Sequence, residues 1–181
     1  MRVQPVDVTA LTADQQRVYD KIASGPRGGV RGPLPILLHN PDLTDRVQAL
    51  GELLRYRIGI PEQLREIGIL VVASRWRCEY EWYAHSQVAA KSGVPADIIQ
   101  AIREGRTPEF ADARQQLVYD FARQVQERQR VSDTTYDAAV EAFGKTGVVE
   151  LATLIGYFSM VSVMLNAHAV PLPEGVSPAF G

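Results

Sequence analysis

Between Pro61 and Gly93 the chain gathers its only cysteine, one of its three histidines, both tryptophans and several carboxylates. If CEYEWYAH lies on one helix, Cys78, Glu81, Trp82 and His85 share a face, because residues three, four and seven apart are neighbours there. Glu81 and His85, four apart, are within reach of a direct hydrogen bond. Glu66 precedes an apolar run and would return to the same stripe if the two segments pack antiparallel. Two carboxylates and an imidazole in an apolar, aromatic-walled site suit general acid–base chemistry, since burial and pairing decide which group holds the proton. The plainer alternative is a structural Glu81–His85 pair with Glu66 as an ordinary first-turn acid.

The segments that must position these groups read as helices. Thr12 and Gln15 form a capping-box pattern ahead of ADQQRVYDKIAS, and Gly25-Pro26 ends that helix. GPRGGVRGPLP has the composition of a connector; it lacks the Lys-Ser/Thr of a phosphate loop and follows no strand. Helical spacing resumes at Pro41 with Asp42 or Thr44 as cap, breaks at Ile60-Pro61, and continues to about Trp76. A helix from about Cys78 to Lys91 follows, closed by Gly93, then a shorter one from Pro95-Ala96-Asp97 to Gly105. Glu109 to Arg130 presents Phe110, Ala113, Leu117, Phe121 and Val125 along one face. A further helix begins near Ser132 and is closed by Gly144, ahead of the most apolar helix, GVVELATLIGYFSMVSVMLNAHAV. No alternating strand pattern appears, so the fold class is all-α.

Composition sets further bounds. A chain of 181 residues with 46% hydrophobic and 22% charged residues suits one folded domain. The formal charge of -2 and scattered arginines argue against nucleic acid as the main partner. One cysteine, no signal-peptide pattern and no uninterrupted apolar run of membrane length lead to the expectation of a cytoplasmic protein without a membrane partner. His39 and His168 read as polar positions near helix ends. The four-residue gap between Glu81 and His85 is not the Glu-x-x-His spacing of a helical metal site, so no metal is expected.

The order Glu66, Cys78, His85, with spacings of twelve and seven, resembles the carboxymuconolactone decarboxylase and alkylhydroperoxidase D superfamily. YEWYAH (Tyr80 to His85), GPLPILLHNPDL and IGYFSMVSVMLNAHAVPLPEG are similar to its longer, decarboxylase-like members, and the likeness spans about residues 30 to 175. It implies a helical bundle over residues 31–175, preceded by a leader and first helix (1–30) and followed by a tail (176–181). It also implies a trimer or hexamer of identical chains. In the peroxidase branch a glutamate, a CxxC pair and a histidine form the site. Glu81 stands here where that branch has its second cysteine, so the dithiol cycle cannot run within one chain.

What the resemblance implies instead is cofactor-independent proton chemistry on a small carboxylated or lactone compound by a decarboxylase-like lyase or isomerase. His85 is then the main proton donor or acceptor, Glu81 orients it, and Glu66 is the second carboxylate. Arg75 or Arg77 would hold a substrate carboxylate, with Trp82 and Cys78 in the wall of the site. Two alternatives stand beside this reading: a thiol peroxidase using Cys78 alone, and a non-catalytic oligomeric binding protein.

Overall fold

The computed structural model describes all 181 residues as eight helices with no strand. They are α1 (Ala13–Ala23), α2 (Leu34–Leu37), α3 (Pro41–Tyr56), α4 (Glu62–Arg75), α5 (Glu79–Lys91), α6 (Ala96–Arg103), α7 (Ala113–Arg128) and α8 (Asp133–Ala167). The helix starts follow side-chain chemistry. Thr12 and Gln15 make the reciprocal capping box of α1, and Ser132 accepts from the Thr135 amide at the start of α8. Asn40, rather than Asp42 or Thr44, caps α3: its side chain accepts from the Leu43 amide, with Pro41 in the first turn. Glu109 to Ala111 lie outside α7, which begins only after Asp112 accepts from the Arg114 amide. Along α7 the buried positions are Gln115, Val118, Tyr119, Phe121 and Ala122, so the apolar face is rotated from the Ala113–Leu117–Val125 line.

At the centre lies α4, packed against α5, α6, α7 and α8. Every residue from Leu64 to Ala73 is buried, which is the outcome for a helix apolar nearly all round. Its first turn also takes Arg65 and Glu66 into the interior. A smaller cluster of Val6, Val18, Ile22, Leu34, Leu37 and Leu38 joins the leader, α1 and α2. Gly144, with φ 67 and ψ 173, breaks the helical path inside α8, a conformation that glycine adopts at little cost. The stretch beyond it is long and apolar enough, by composition, to cross a membrane. Half of its most apolar window is buried within the protein, as befits a core helix.

The reversal between α4 and α5 decides the geometry of the site. Cys78 N–H donates to the Ala73 carbonyl and Arg77 N–H to that of Ser74, the paired bonds of a Schellman motif. Arg77 takes the left-handed position (φ 46) that glycine holds in the corresponding turns at Gly93 and Gly105. The turn folds α5 back along α4, and the C-terminal residues secure its first turn. Glu79 accepts from the Ala179 and Phe180 amides, and the Phe180 ring meets Trp82 edge-on at 5.3 Å.

Because α4 contacts four helices at once, truncation inside it should be costly. Leu70→Ala, at a fully buried position, is expected to lower unfolding stability by about 2–5 kcal/mol in urea titrations followed by circular dichroism.

Candidate active site

Glu66 on α4 and His85 on α5 meet in the interior. His85 Nδ1 lies 2.7 Å from Glu66 Oε2, and both side chains are less than a tenth exposed. A carboxylate can only accept, so the pairing places the imidazole proton on Nδ1 and leaves Nε2 as the basic nitrogen. Nε2 has no protein partner, and His85 lines a cavity of about 430 Å³. The ring is held from the side by Phe158 of α8, edge-on at 4.8 Å.

Glu81 does not bond His85, despite sharing its helix face. It accepts instead from the Ser162 hydroxyl on α8 through Oε2, while its Oε1 is buried without a partner. The expected Glu81–His85 pair is thereby replaced by two pairs that cross between helices, Glu66–His85 and Ser162–Glu81. The cause is crossing geometry: α4 and α8 both contact α5 and offer better-aligned partners than α5 offers itself. Burial pushes the Glu81 carboxyl up to about 8, against the pull of the Ser162 hydroxyl, and the nearby Glu66 charge adds to the rise. Glu81 therefore enters neutral pH as an uncharged acid, able to donate its proton into the cavity it lines.

Cys78 is the N-cap residue of α5 and is 1% exposed. Burial first, and the Glu81 carboxyl second, push its thiol up to about 12. A protonated, enclosed thiol is a poor nucleophile. Trp82 is also buried, but it packs on Phe180 and takes no part in the cavity wall. Arg75 and Arg77 lie elsewhere: they border a separate cavity of about 490 Å³ with Arg103 and Arg123. The turn at Arg77, which donates to the Phe180 carbonyl, directs them away from His85. The His85 cavity draws its cations from Arg27, Arg31, Arg55 and Lys91 and its aromatic wall from Tyr56, Tyr80, Tyr83, Tyr157 and Phe158.

Most of these were missed because they come from distant segments. The Gly/Pro connector before α2 supplies Arg27 and Arg31, and its alternation of arginine with glycine was the available signal. Ser162 was detectable as a hydroxyl on an otherwise apolar helix. His39 Nε2 bonds the Gln4 carbonyl and His168 caps α8, so neither reaches the cavity. No three His, Cys, Asp or Glu side chains converge as a metal centre.

Residues 41–124, from the start of α3 to the middle of α7, match the profile of the carboxymuconolactone decarboxylase family. This segment, just under half of the chain, is similar to that family. The whole chain shares its fold with a peroxidase-related protein described as an alkylhydroperoxidase AhpD core from Ralstonia eutropha JMP134 (TM-score 0.79, 19% identity, 99% of this chain and 94% of that one). A peroxidase-related protein from Silicibacter sp. TM1040 is similar over 96% of this chain and 91% of its own (TM-score 0.77, 18% identity). The debrominase Bmp8, solved with 2,3,4-tribromopyrrole, is similar over 96% and 92% (TM-score 0.74, 16% identity). None of the curated proteins matches the chain by sequence. The resemblance carried by Glu66, Cys78 and His85 thus holds for family and fold.

Folding Glu81 as a neutral acid links stability to pH. Its raised proton affinity stabilises the native state fully below the ordinary carboxyl value of 4.5, and the contribution is gone above about pH 8. Wild-type unfolding stability should fall across that window by an amount on the order of a few kcal/mol. Glu81→Gln should flatten the profile in urea titrations at matched ionic strength.

Proposed function

We propose that this carboxymuconolactone decarboxylase-type protein is a cofactor-independent acid–base lyase or isomerase acting on a small carboxylated or lactone compound. One observation carries the reading: a basic nitrogen, His85 Nε2, and a neutral acid, Glu81, border the same cavity, while their other polar atoms are held by Glu66 and Ser162. A site poised this way separates the roles of base and acid by environment, as proton-transfer catalysis requires. A cavity of about 430 Å³ suits one small organic molecule.

In the decarboxylating form, the bond from carbon to the substrate carboxylate breaks, carbon dioxide leaves, and the electron pair passes into a conjugated carbonyl. Glu81 delivers its proton to the resulting dienolate. The Glu81 carboxylate left behind is disfavoured by the same burial that raised its proton affinity, so it recovers a proton from water entering the cavity. In the isomerising form, His85 Nε2 removes a proton next to the carbonyl while Glu81 protonates the oxygen, and the two return their protons in the reverse sense. Glu66 keeps the imidazole in the required tautomer. Cys78, buried and protonated, takes no part, which sets the reading apart from a thiol peroxidase.

Assembly of identical chains, as a trimer or hexamer, belongs to the same reading. It is supported by apolar side chains left open on α3 (Leu43, Leu50, Leu53) and α8 (Val149, Met160, Val163). Light scattering coupled to gel filtration should return three or six times the 20.0 kDa chain mass.

The chemistry is tested with a panel of carboxylated lactones and conjugated keto acids, followed by the change in ultraviolet absorbance. His85→Gln and Glu81→Gln are each expected to lower kcat/KM by roughly 10²–10⁴, whereas Cys78→Ser stays within a fewfold of wild type. Turnover that survives both of the former, or is lost in Cys78→Ser, overturns the assignment. Melting temperatures of the three variants serve as the folding control.

A further inference from the structure

Glu81 is the only acidic residue bordering the His85 cavity, which also carries Arg27, Arg31, Arg55 and Lys91. None of the four cations is in an ion pair. With Glu81 neutral, the cavity presents a strong excess of positive charge around an aromatic wall. Arg27 is the most constrained of the four. Its Nη2 donates to the Gln48 carbonyl at 3.3 Å, and its Nε is buried with no partner. An unpaired donor on a partly buried guanidinium is costly to maintain unless a ligand supplies the acceptor.

The surroundings are built to keep Arg27 in place. Gly51, buried within α3, allows both the Tyr157 hydroxyl and Arg27 Nη2 to close on the helix; a Cβ there would overlap both. Glycine inside a helix costs up to about 1 kcal/mol relative to alanine, so the close approach is retained against a local preference. The Tyr157 hydroxyl is pushed up by burial, while Arg27 beside it and Arg55 nearby pull the other way. Tyr157 thereby keeps its proton and can donate a hydrogen bond beside Arg27.

We propose that Arg27, Arg55 and the Tyr157 hydroxyl form an oxyanion subsite of the His85 cavity, which takes the carboxylate of an apolar-bodied, preferably aromatic or conjugated, substrate. The assignment rests on the acid–base reading for what happens to that substrate, but the subsite itself is defined by binding. A guanidinium edge with a free N–H, backed by a phenol, matches the two oxygens of a carboxylate. The tyrosines and Phe158 cover the body of the molecule. Arg31 and Lys91, both exposed, supply longer-range attraction that weakens with salt. Arg27, from the connector before α2, and Tyr157, from α8, lie outside the stretch matched to the family, while Arg55 of α3 lies within it.

Equilibrium binding tests it without knowledge of the substrate. Benzoate and cinnamate, with benzamide and cinnamamide as neutral isosteres and inorganic phosphate as a bodiless anion, are titrated against the full chain by thermal shift and calorimetry. The carboxylates should raise the melting temperature saturably, the amides should not, and phosphate should act only weakly. Arg27→Gln should weaken benzoate binding roughly ten- to a hundredfold, with Arg27→Lys recovering part of it. Arg55→Gln should weaken it less. Gly51→Ala should weaken it without touching a charge. Ligand-free melting temperatures identify any variant that fails to fold, in which case the Arg27→Lys and Arg55→Gln series decides. Equal shifts by acids and amides, no shift by any probe, phosphate acting alone, or undiminished benzoate binding in folded Arg27→Gln would each overturn the subsite. Benzoate binding by a protein that turns over none of the lactones or keto acids would uphold the subsite and remove only the chemistry.

Discussion

The contact between Glu66 and His85 constrains everything around it. A buried carboxylate near the start of the most buried helix is tolerable only if a partner reaches it, because an uncompensated charge in an apolar interior costs several kcal/mol. His85 is that partner, and it can arrive only if α5 folds straight back along α4. The left-handed Arg77 and the two Schellman hydrogen bonds produce that reversal, and Glu79 and Phe180 hold the first turn of α5 against the C-terminal residues. The Glu66–His85 pair, the left-handed turn at Arg77 and the packing of Ala179 and Phe180 on α5 thus form one continuous arrangement.

The same economy governs the second acid. Glu81 sits on α5, one turn before His85, and Ser162 of α8 meets it there. One oxygen is satisfied and the other is not, so burial keeps the group protonated. Two carboxylates in one interior consequently differ in role: Glu66 orients an imidazole, and Glu81 carries a proton at the cavity wall. Cys78 survives as a packed N-cap residue.

The helices, their breaks at Gly25, Pro61, Gly93, Gly105 and Gly144, and the spacing of Glu66, Cys78, Glu81 and His85 were legible without coordinates. Each depends on the local period of the helix or on the backbone chemistry of glycine and proline, both written in a few adjacent residues. So was the loss of the dithiol, which is a matter of residue identity. Less visible was the cap of α3, where Asn40, Asp42 and Thr44 all had suitable side chains and only the backbone path selected among them.

Tertiary structure alone decided who pairs with whom and which cations face the cavity. Glu81 could reach His85 by spacing, but Ser162 and Glu66 arrive from other helices at better angles, and the rotation of α5 against α4 and α8 is set by packing across the whole core. Arg75 and Arg77 are close to His85 in sequence yet point to another face, since a tight reversal throws its residues outward. Arg27, Arg31 and Arg55 are distant in sequence yet border the site, because the connector and α3 close over the bundle end where α5 and α8 meet. Residue types and local periods determined that Glu66, Glu81 and His85 lie on two adjacent helices. Long-range packing determined their partners, the protonation of Glu81 and the charge of the chamber that Glu81 and His85 border.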